Sequence, residues 1–487
     1  MKEDWIECDL GTVCFTTSGG TPNRQNKSFY EGNIPWVKSG ELDKGIILDS
    51  QEHISEDAIK NSSAKIFPKG TLLFALYGAT IGKMATLGIA AATNQAICGI
   101  YENDVLISKY LYHYLSYKKR ELIGKGIGGA QPNISQTILK QLLIPIAPLS
   151  EQRAIVVKIE ELFSDLDKGI DDLKKAKDQL VIYRHAVLKR AFEGGFTKEW
   201  REKNSYLMDD FLINLKIEKE NAIKSKLIPK SDYFPVFENK ELTYQVPNQW
   251  ISLPWKTITS NNKYALKRGP FGSALKKEFF VEKGIVVYEQ GHAINDEPFR
   301  HRYYITPEKF EELKAFKTVA GDMIVSCSGA TLGRICLLPD NADLGIINQA
   351  LLKIDLDEKI ILKKFFLMLF RSETFQRLIF EKSLGTAMPN MIGMAELKEI
   401  PIPIPSIAEQ KIIIQEIESR LTVCDKVEQS ISESLEKAKA LRQSILKKSF
   451  EGKLLSAAEI ARCKQEKDYE PAADLLAKIK AEKKKSS

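Results

Sequence analysis

From Leu149 to Phe192, apolar side chains return at seven-residue steps: Ile159, Leu166, Leu173, Leu180 and Val187, with Leu162, Ala176 and Tyr183 between them. Asp171, Asp172, Lys174, Lys175, Lys177 and Asp178 surround this narrow stripe, so the spacing predicts a long helix with one packed seam rather than a helix inside a wide core. A second row, Ile417, Cys424, Ile431, Ala438 and Ile445, flanked by Leu421, Leu435 and Leu441, repeats the pattern. Two matching seams in one chain predict partners for each other, through Ile159, Leu166, Leu173, Leu180 and Val187 on one side and Ile417, Ile431, Leu435 and Ile445 on the other. Each helix follows an extended proline-rich approach, Ile144-Pro145-Ile146-Ala147-Pro148 or Ile400-Pro401-Ile402-Pro403-Ile404-Pro405, with Ser150 and Ser406 as expected caps. Gly194 and Gly452 stand where the helices should stop. About forty residues at ~1.5 Å each make a rod of roughly 60 Å, enough to hold two heads well apart.

Outside the rods the pattern changes to short β-branched or aromatic runs closed by glycine, such as Leu72-Leu73-Phe74-Ala75 before Gly78 and Met323-Ile324-Val325-Ser326 before Gly329. Helical segments are expected near Ser108 to Gly124 and Lys359 to Ser383. The predicted fold class is therefore α+β: two mixed heads separated by two long helices. The domain reading is head 1 at 1–148, rod 1 at 149–195, a charged connector at 196–244 with a helix-prone stretch from Phe211 to Lys226, head 2 at 245–405, rod 2 at 406–452, and a basic tail at 453–487.

The chain is an internal repeat. Trp5-Ile6 returns as Trp250-Ile251, 245 positions later, and Gly78-Ala79-Thr80-Ile81-Gly82-Lys83 as Gly329-Ala330-Thr331-Leu332-Gly333-Arg334, 251 later. From Ile144 onward the lag holds at 258, pairing Pro145 with Pro403, Glu151-Gln152 with Glu409-Gln410, and Phe192-Glu193-Gly194 with Phe450-Glu451-Gly452. A drifting lag marks loop insertions, whereas an ungapped stretch suits a helix, in which an insertion rotates every later side chain off its face. Each copy is a variable head followed by a constant rod, and a protein built twice grips something twice.

Composition adds bounds. The 487 residues exceed the roughly 250–300 that one core spans, and 44% apolar content suffices for two. Seven cysteines without a Cys-x-x-Cys pair fit reduced thiols in a cytoplasm better than disulfides or a zinc site. The N-terminus lacks a signal-peptide core and no run approaches the ~18 apolar residues of a membrane span, so a cytoplasmic protein without a membrane partner is expected. A net charge of +7 leaves an anionic partner open.

Polar, basic and small residues gather where the heads diverge, at Thr16 to Lys27 and at Lys267 to Lys277. Arg, Lys, Asn and Gln supply donors for phosphates and base edges, and glycine lets the backbone come close. The candidate contacts are Ser18, Thr21, Arg24, Asn26, Lys27, Lys38 and Lys83 in head 1, and Lys267, Arg268, Ser273, Lys276, Lys277 and Arg334 in head 2. Asn94-Gln95-Ala96 and Asn348-Gln349-Ala350 read as structural turns. Gly124-Lys125-Gly126-Ile127-Gly128-Gly129 matches a dinucleotide pattern but does not open a helix, and Gly78 to Lys83 is one residue short of a phosphate loop. Pro339-Asp340 with Asp357-Glu358-Lys359 imitates a metal-dependent nuclease motif absent from head 1. The five histidines show no ligand spacing, so neither catalytic residues nor metal ligands are assigned.

Two variable heads, two repeated rods, Pro-Ile-Pro running into Glu-Gln, and Phe-Glu-Gly closing each rod together resemble the specificity subunit of type I restriction-modification enzymes. Trp200-Arg201-Glu202 and Glu470 to Ile479 are similar to segments seen there, so the resemblance covers essentially the whole chain. It implies target-recognition heads that each read half of a bipartite, asymmetric site on double-stranded DNA, and rods packed as an antiparallel coiled coil. The implied partners are two methyltransferase subunits and motor-nuclease restriction subunits. S-adenosylmethionine, ATP and Mg²⁺ would serve those partners, leaving this chain non-catalytic and without a cofactor. The competing readings are a protein-interaction scaffold with a coiled-coil spacer and a metal-dependent nuclease using Asp340, Asp357 and Lys359.

Overall fold

The computed structural model describes residues 2–125, 133–204, 209–232, 245–329, 331–380 and 391–485. They form two compact units, Met1–Lys174 with Ser432–Ser487, and Lys175–Ile431. The division falls inside both long helices, Leu149–Phe192 and Ile407–Phe450, each 44 residues long.

The first unit contains head 1. Strand Ile6–Asp9 pairs antiparallel with Leu143–Ile146, Cys8 opposite Ile144, which carries the chain back to the start of rod 1. A five-stranded sheet has the order Thr16–Ser18, Ile97–Ile100, Leu72–Ala75, Met84–Leu87, Ile46–Ile47. A four-stranded sheet has the order His53–Ile54, Ile34–Val37, Ala91–Thr93, Ile66–Phe67, and its central pair is parallel. Helix Ser108–Gly124 covers the first sheet with Tyr110, Tyr114 and Leu122 inward.

The second unit repeats this plan with head 2. Strand Ile251–Pro254 pairs with Pro401–Ile404. One sheet runs Leu266–Arg268, Leu351–Ile354, Met323–Ser326, Ile335–Leu337, and the other Tyr304–Ile305, Ile285–Tyr288, Gly345–Ile347, Lys317–Thr318, again with a parallel central pair. Among the described residues, the edge strand Ile46–Ile47 of head 1 has no counterpart in head 2. The equivalent helical cover is split into Lys363–Arg371 and Glu373–Phe380, because Ser372 leaves the helical conformation between them. The α+β expectation holds, and the segment expected from Ser108 to Gly124 is a single helix over those residues.

The rods pack antiparallel in each unit. In the first, Arg442 of rod 2 binds Asp167 at 2.6 Å and lies over Phe163. In the second, Arg184 of rod 1 binds Asp425 at 2.7 Å and Glu428 at 3.1 Å. These pairs are repeat equivalents, since Arg184 matches Arg442 and Asp167 matches Asp425 at the constant lag of 258. Ile159, Val187, Ile417, Ile431 and Ile445 are buried, and Leu166, Leu173, Leu180 and Leu435 are half-buried, as a two-helix seam requires. Two flanking residues depart from expectation. Tyr183 and Leu441, which are repeat equivalents, are 45% and 51% exposed, and the next residues, Arg184 and Arg442, turn inward instead. An arginine stem covers apolar surface there while its head reaches a carboxylate on the facing helix.

Ser406 caps rod 2 by accepting a bond from the Glu409 N–H at 3.2 Å. Ser150 does not cap rod 1, because that helix already begins at Leu149. Both rods end as expected on a glycine with φ +71, at Gly194 and Gly452, a left-handed turn that a Cβ would strain. The next amides, Gly195 N–H and Lys453 N–H, bond back to the Arg190 and Lys448 carbonyls at 2.8 Å.

The closing phenylalanines explain why Phe-Glu-Gly recurs. Phe450 of rod 2 packs edge-on against Tyr110 and Tyr114 in the core of head 1, and Phe192 of rod 1 packs against Phe365 in the core of head 2. Each head is therefore plugged by the end of the rod that the other head leads into. The connector and the tail are also structural. Helix Asp209–Lys224 buries Leu215 and Ala222 on head 2, and helices Ala457–Lys464 and Ala472–Lys485 bury Cys463, Leu475, Leu476 and Ile479 on head 1.

Candidate functional site

Two constellations recur in both units: a buried joint at the start of each rod, and a turn-and-loop pair on each head.

The joint centres on the repeated Glu-Gln. Gln152 donates to the Val105 and Ala147 carbonyls at 2.8 Å and accepts from the Ile107 N–H at 3.0 Å. Gln410 does the same with Ile360, Pro405 and Leu362. One amide side chain thus ties the strand approach, the covering helix and the rod together, which requires donor and acceptor on one flat group and explains why glutamine is used twice. The neighbouring glutamates are fully buried and paired differently. Glu151 accepts from Lys2 at 2.7 Å and from the Trp5 indole at 2.9 Å. Glu409 accepts from Arg201 at 2.5 Å and Thr197 at 2.6 Å, and Arg201 also donates to the Gly194 carbonyl.

On the heads, the edge strand Thr16–Ser18 or Leu266–Arg268 leads into the divergent loop. Gly19 and Gly269 hold equivalent places at its start. A Cβ on Gly269 would lie 1.8 Å from the Asn348 carbonyl oxygen, and one on Gly19 would lie 2.1 Å from the Thr93 hydroxyl. The loop is therefore clamped against the Asn-Gln-Ala turn. Asn348 is structural, accepting from the Ala350 N–H. The next residue, Gln349, lines an open cavity of about 660 Å³ with Lys263, Lys267, Arg268, Phe271 and Phe316. In head 1, Gln95 meets the Thr21 hydroxyl at the matching place.

The candidate cations divide into two kinds. In head 1, Arg24 and Lys38 both bind Glu52 at 2.6 Å, and Arg24 is stacked over Tyr30 and Trp36, which makes them braces of the loop. Their bonds hold the Glu52 carboxyl below the usual carboxylate range. Lys83 binds Asp43. Ser18 is half-buried at the strand end, Asn26 accepts from Ser28, and Lys27 is exposed. In head 2, Lys267 and Arg268 line the cavity with no carboxylate in ion-pairing range among the described residues, and Lys267 lies over Tyr264 and Phe316. Ser273, Lys277 and Arg334 are exposed, and Lys276 is 3.6 Å from Glu278. Lys263, Phe271, Phe316 and Gln349 were not singled out from sequence. They come from four separate segments, and only the proximity of the strands unites them.

Other motifs resolve structurally. Gly78–Thr80 and Gly329 onward, Ala330 lying outside the described residues, form hairpin turns that return the chain to the next strand, with the Gly82 and Gly333 amides bonding to Ala75 and Ser326. Most of Gly124–Gly129 lies outside the described residues. Asp357 accepts from the Lys359 N–H as a turn cap, and Lys359 faces Glu218 at 3.6 Å. Among the described residues no three His, Cys, Asp or Glu side chains converge as a metal would need. All seven cysteines are thiols, and among the described residues no helix is long and apolar enough to cross a membrane.

Comparison with known proteins matches residues 2–180 and 215–437 to the model of the type I restriction modification DNA specificity domain. The chain is 26% identical over 499 positions to the type I restriction enzyme EcoBI specificity subunit of Escherichia coli, covering 99% of this chain and 93% of that protein. It is 25% identical over 342 positions to the MjaIX specificity subunit of Methanocaldococcus jannaschii, covering 66% and 74%. In fold it is similar to the HsdS subunit from Thermoanaerobacter tengcongensis, with a TM-score of 0.57, 18% identity, and coverage of 93% and 98%. A chain in a structure describing assembly and conformational transition of the type I R-M system gives a TM-score of 0.65 at 17% identity, with coverage of 93% and 99%.

Proposed function

The chain belongs to the type I restriction-modification DNA specificity family, and from that premise we propose how it reads its site and what it serves. It is the non-catalytic, sequence-specific DNA-recognition subunit, reading a bipartite asymmetric site with one half-site per head. In our reading the contacts are made by the divergent loops beside the Gln95 and Gln349 turns. Ser18, Thr21, Asn26 and Lys27 serve one half-site, and Lys267, Arg268, Ser273, Lys276, Lys277 and Arg334 the other. Arg24 and Lys38 act by holding the loop of head 1 in shape.

The observation that carries this proposal is that both heads keep one strand order while their loops at the same sheet edge differ in length, charge and side chains. A shared scaffold fixes where DNA meets the protein, and different loops let each head read different bases. The partners follow in the same proposal: two methyltransferase subunits, each gripping one repeat of the rod region, and motor-nuclease subunits that act on unmodified sites in the cytoplasm. S-adenosylmethionine, ATP and Mg²⁺ belong to those subunits.

The test is genome-wide adenine-methylation mapping in a methylation-free host carrying the methyltransferase gene with and without this chain. A bipartite motif present only with this chain is expected. A methyltransferase that assembles with the chain yet marks no motif would refute the assignment. Binding should also weaken with salt at a slope near −0.9 per phosphate contact, whereas a protein scaffold would give a flat response.

A further inference from the structure

We propose that head 2 reads its half-site by inserting the Phe271 ring at a base step of duplex DNA, with Gln349 at the adjoining base edges. The proposal rests on the DNA-reading assignment above and names the side chain that would make one half of the site specific.

Phe271 is 91% exposed. Phe365, Phe366, Phe370 and Phe375 of the same head are entirely buried, and Phe299 is 51% exposed. The backbone beneath the exposed ring is firmly placed. The Gly269 N–H bonds to the Leu351 carbonyl at 2.8 Å, Pro270 is buried, and the Phe271 carbonyl accepts from the Ala274 N–H at 2.9 Å. Only a residue without a Cβ fits at Gly269, where the backbone runs close against the Asn348 carbonyl. A ring with two side-chain torsions on an anchored backbone loses little freedom on binding.

The surroundings select the partner. Lys263, Lys267 and Arg268 line the same cavity, and Gln349 adds an amide able to donate and accept. An exposed aromatic among cations and an amide suits a ligand that offers flat faces, negative charge and hydrogen-bonding edges together, which is a nucleic acid. Apolar side chains that enter a base step unstack it and bend the duplex, so the sequence is read through the ease of deformation as well as through contacts. Head 1 carries Thr21 at the equivalent position, held to Gln95, in place of the ring. The two half-sites are thus read by different physical means.

The experiment uses the full chain assembled with its methyltransferase subunits, without S-adenosylmethionine. The probe is a short duplex carrying the mapped motif, with 2-aminopurine placed at single positions other than the methylated adenines. Wild-type complex should raise the fluorescence at one step of one half-site only. Phe271→Ala should abolish that rise and weaken binding roughly tenfold or more, by loss of one stacking contact. Phe271→Tyr should restore both, and the melting temperature should not change. The proposal is overturned if Phe271→Ala keeps the fluorescence pattern and affinity, if it weakens motif and scrambled duplexes equally, or if it alters both half-sites. Those outcomes leave the bipartite motif of the wild type standing, whereas absence of any motif with wild type would overturn the DNA-reading assignment and this proposal together.

Discussion

Arg201→Ala removes the countercharge of a carboxylate that has no access to water. Glu409 is fully buried, and the Arg201 side chain is 8% exposed. The guanidinium donates to Glu409, to Thr197 at 2.6 Å and to the Gly194 carbonyl at 2.7 Å, so its loss also leaves a carbonyl and a hydroxyl with fewer partners. Breaking such a buried pair from one side costs about 3–5 kcal/mol, because an uncompensated charge stays behind. For a unit of this size that is a fall of roughly 10 °C in Tm. Calorimetry should show the transition of the second unit moving and that of the first staying in place, since Glu151 there is paired with Lys2 and Trp5 instead. The double variant Arg201→Ala, Glu409→Gln should recover more than half of the loss, because a neutral amide needs no countercharge. A loss under about 1 kcal/mol for Arg201→Ala, or no recovery with Glu409→Gln, would refute the view that charge burial governs this joint.

Three further outcomes are expected. Leu173→Asp puts an unpaired charge into a half-buried seam position and should cost about 1–2 kcal/mol, seen as a lower melting temperature and weaker assembly with the proposed methyltransferase partner. Burial beside Phe163 pushes His113 down to about 4, so the unfolded chain binds a proton that the folded chain refuses. Its contribution is complete above the ordinary value of 6.5 and is lost as pH falls from there toward 4; His113→Gln should flatten that limb by on the order of 3 kcal/mol in denaturation curves taken across this range. Gly269→Ala forces a Cβ onto the Asn348 carbonyl and should displace the loop at a cost of about 1–3 kcal/mol, and methylation mapping should show one half-site degraded and the other intact.

The rods were legible because a helix writes its packing into a fixed period, and the lag of 258 could be checked residue by residue. What periodicity did not reveal was the inward turn of Arg184 and Arg442: hydropathy favours Tyr183 and Leu441, and only the facing Asp425 and Asp167 decide otherwise. The head loops were located by their divergence, but which cation is already committed was not readable. Glu52 lies 28 positions from Arg24 and 14 from Lys38, and a strand brings it to both. Gln349 and Phe271 were hidden for the same reason, since sheet pairing rather than sequence distance makes them neighbours. The tail looked merely basic because its apolar residues, Cys463, Leu475, Leu476 and Ile479, are sparse and find their partners at the opposite end of the chain.

The first head to leave the ribosome is the last to be finished. Its core needs Ile445, Leu446, Phe450 and Leu455, and its N-terminal strand region is held by Ala472, whose N–H bonds to the Asp4 carbonyl. The unit formed by Lys175–Ile431, by contrast, is one unbroken stretch of chain. At ordinary synthesis speeds the intervening stretch takes roughly 10–50 s to emerge. During that wait Tyr110 and Tyr114 lack the Phe450 ring that packs on them in the finished unit, and the core around Ile159 lacks Ile445. A premature stop just after Ile431 would complete the later-made unit and leave the earlier one permanently open. The two recognition heads are alike in plan but unequal in the order of their birth.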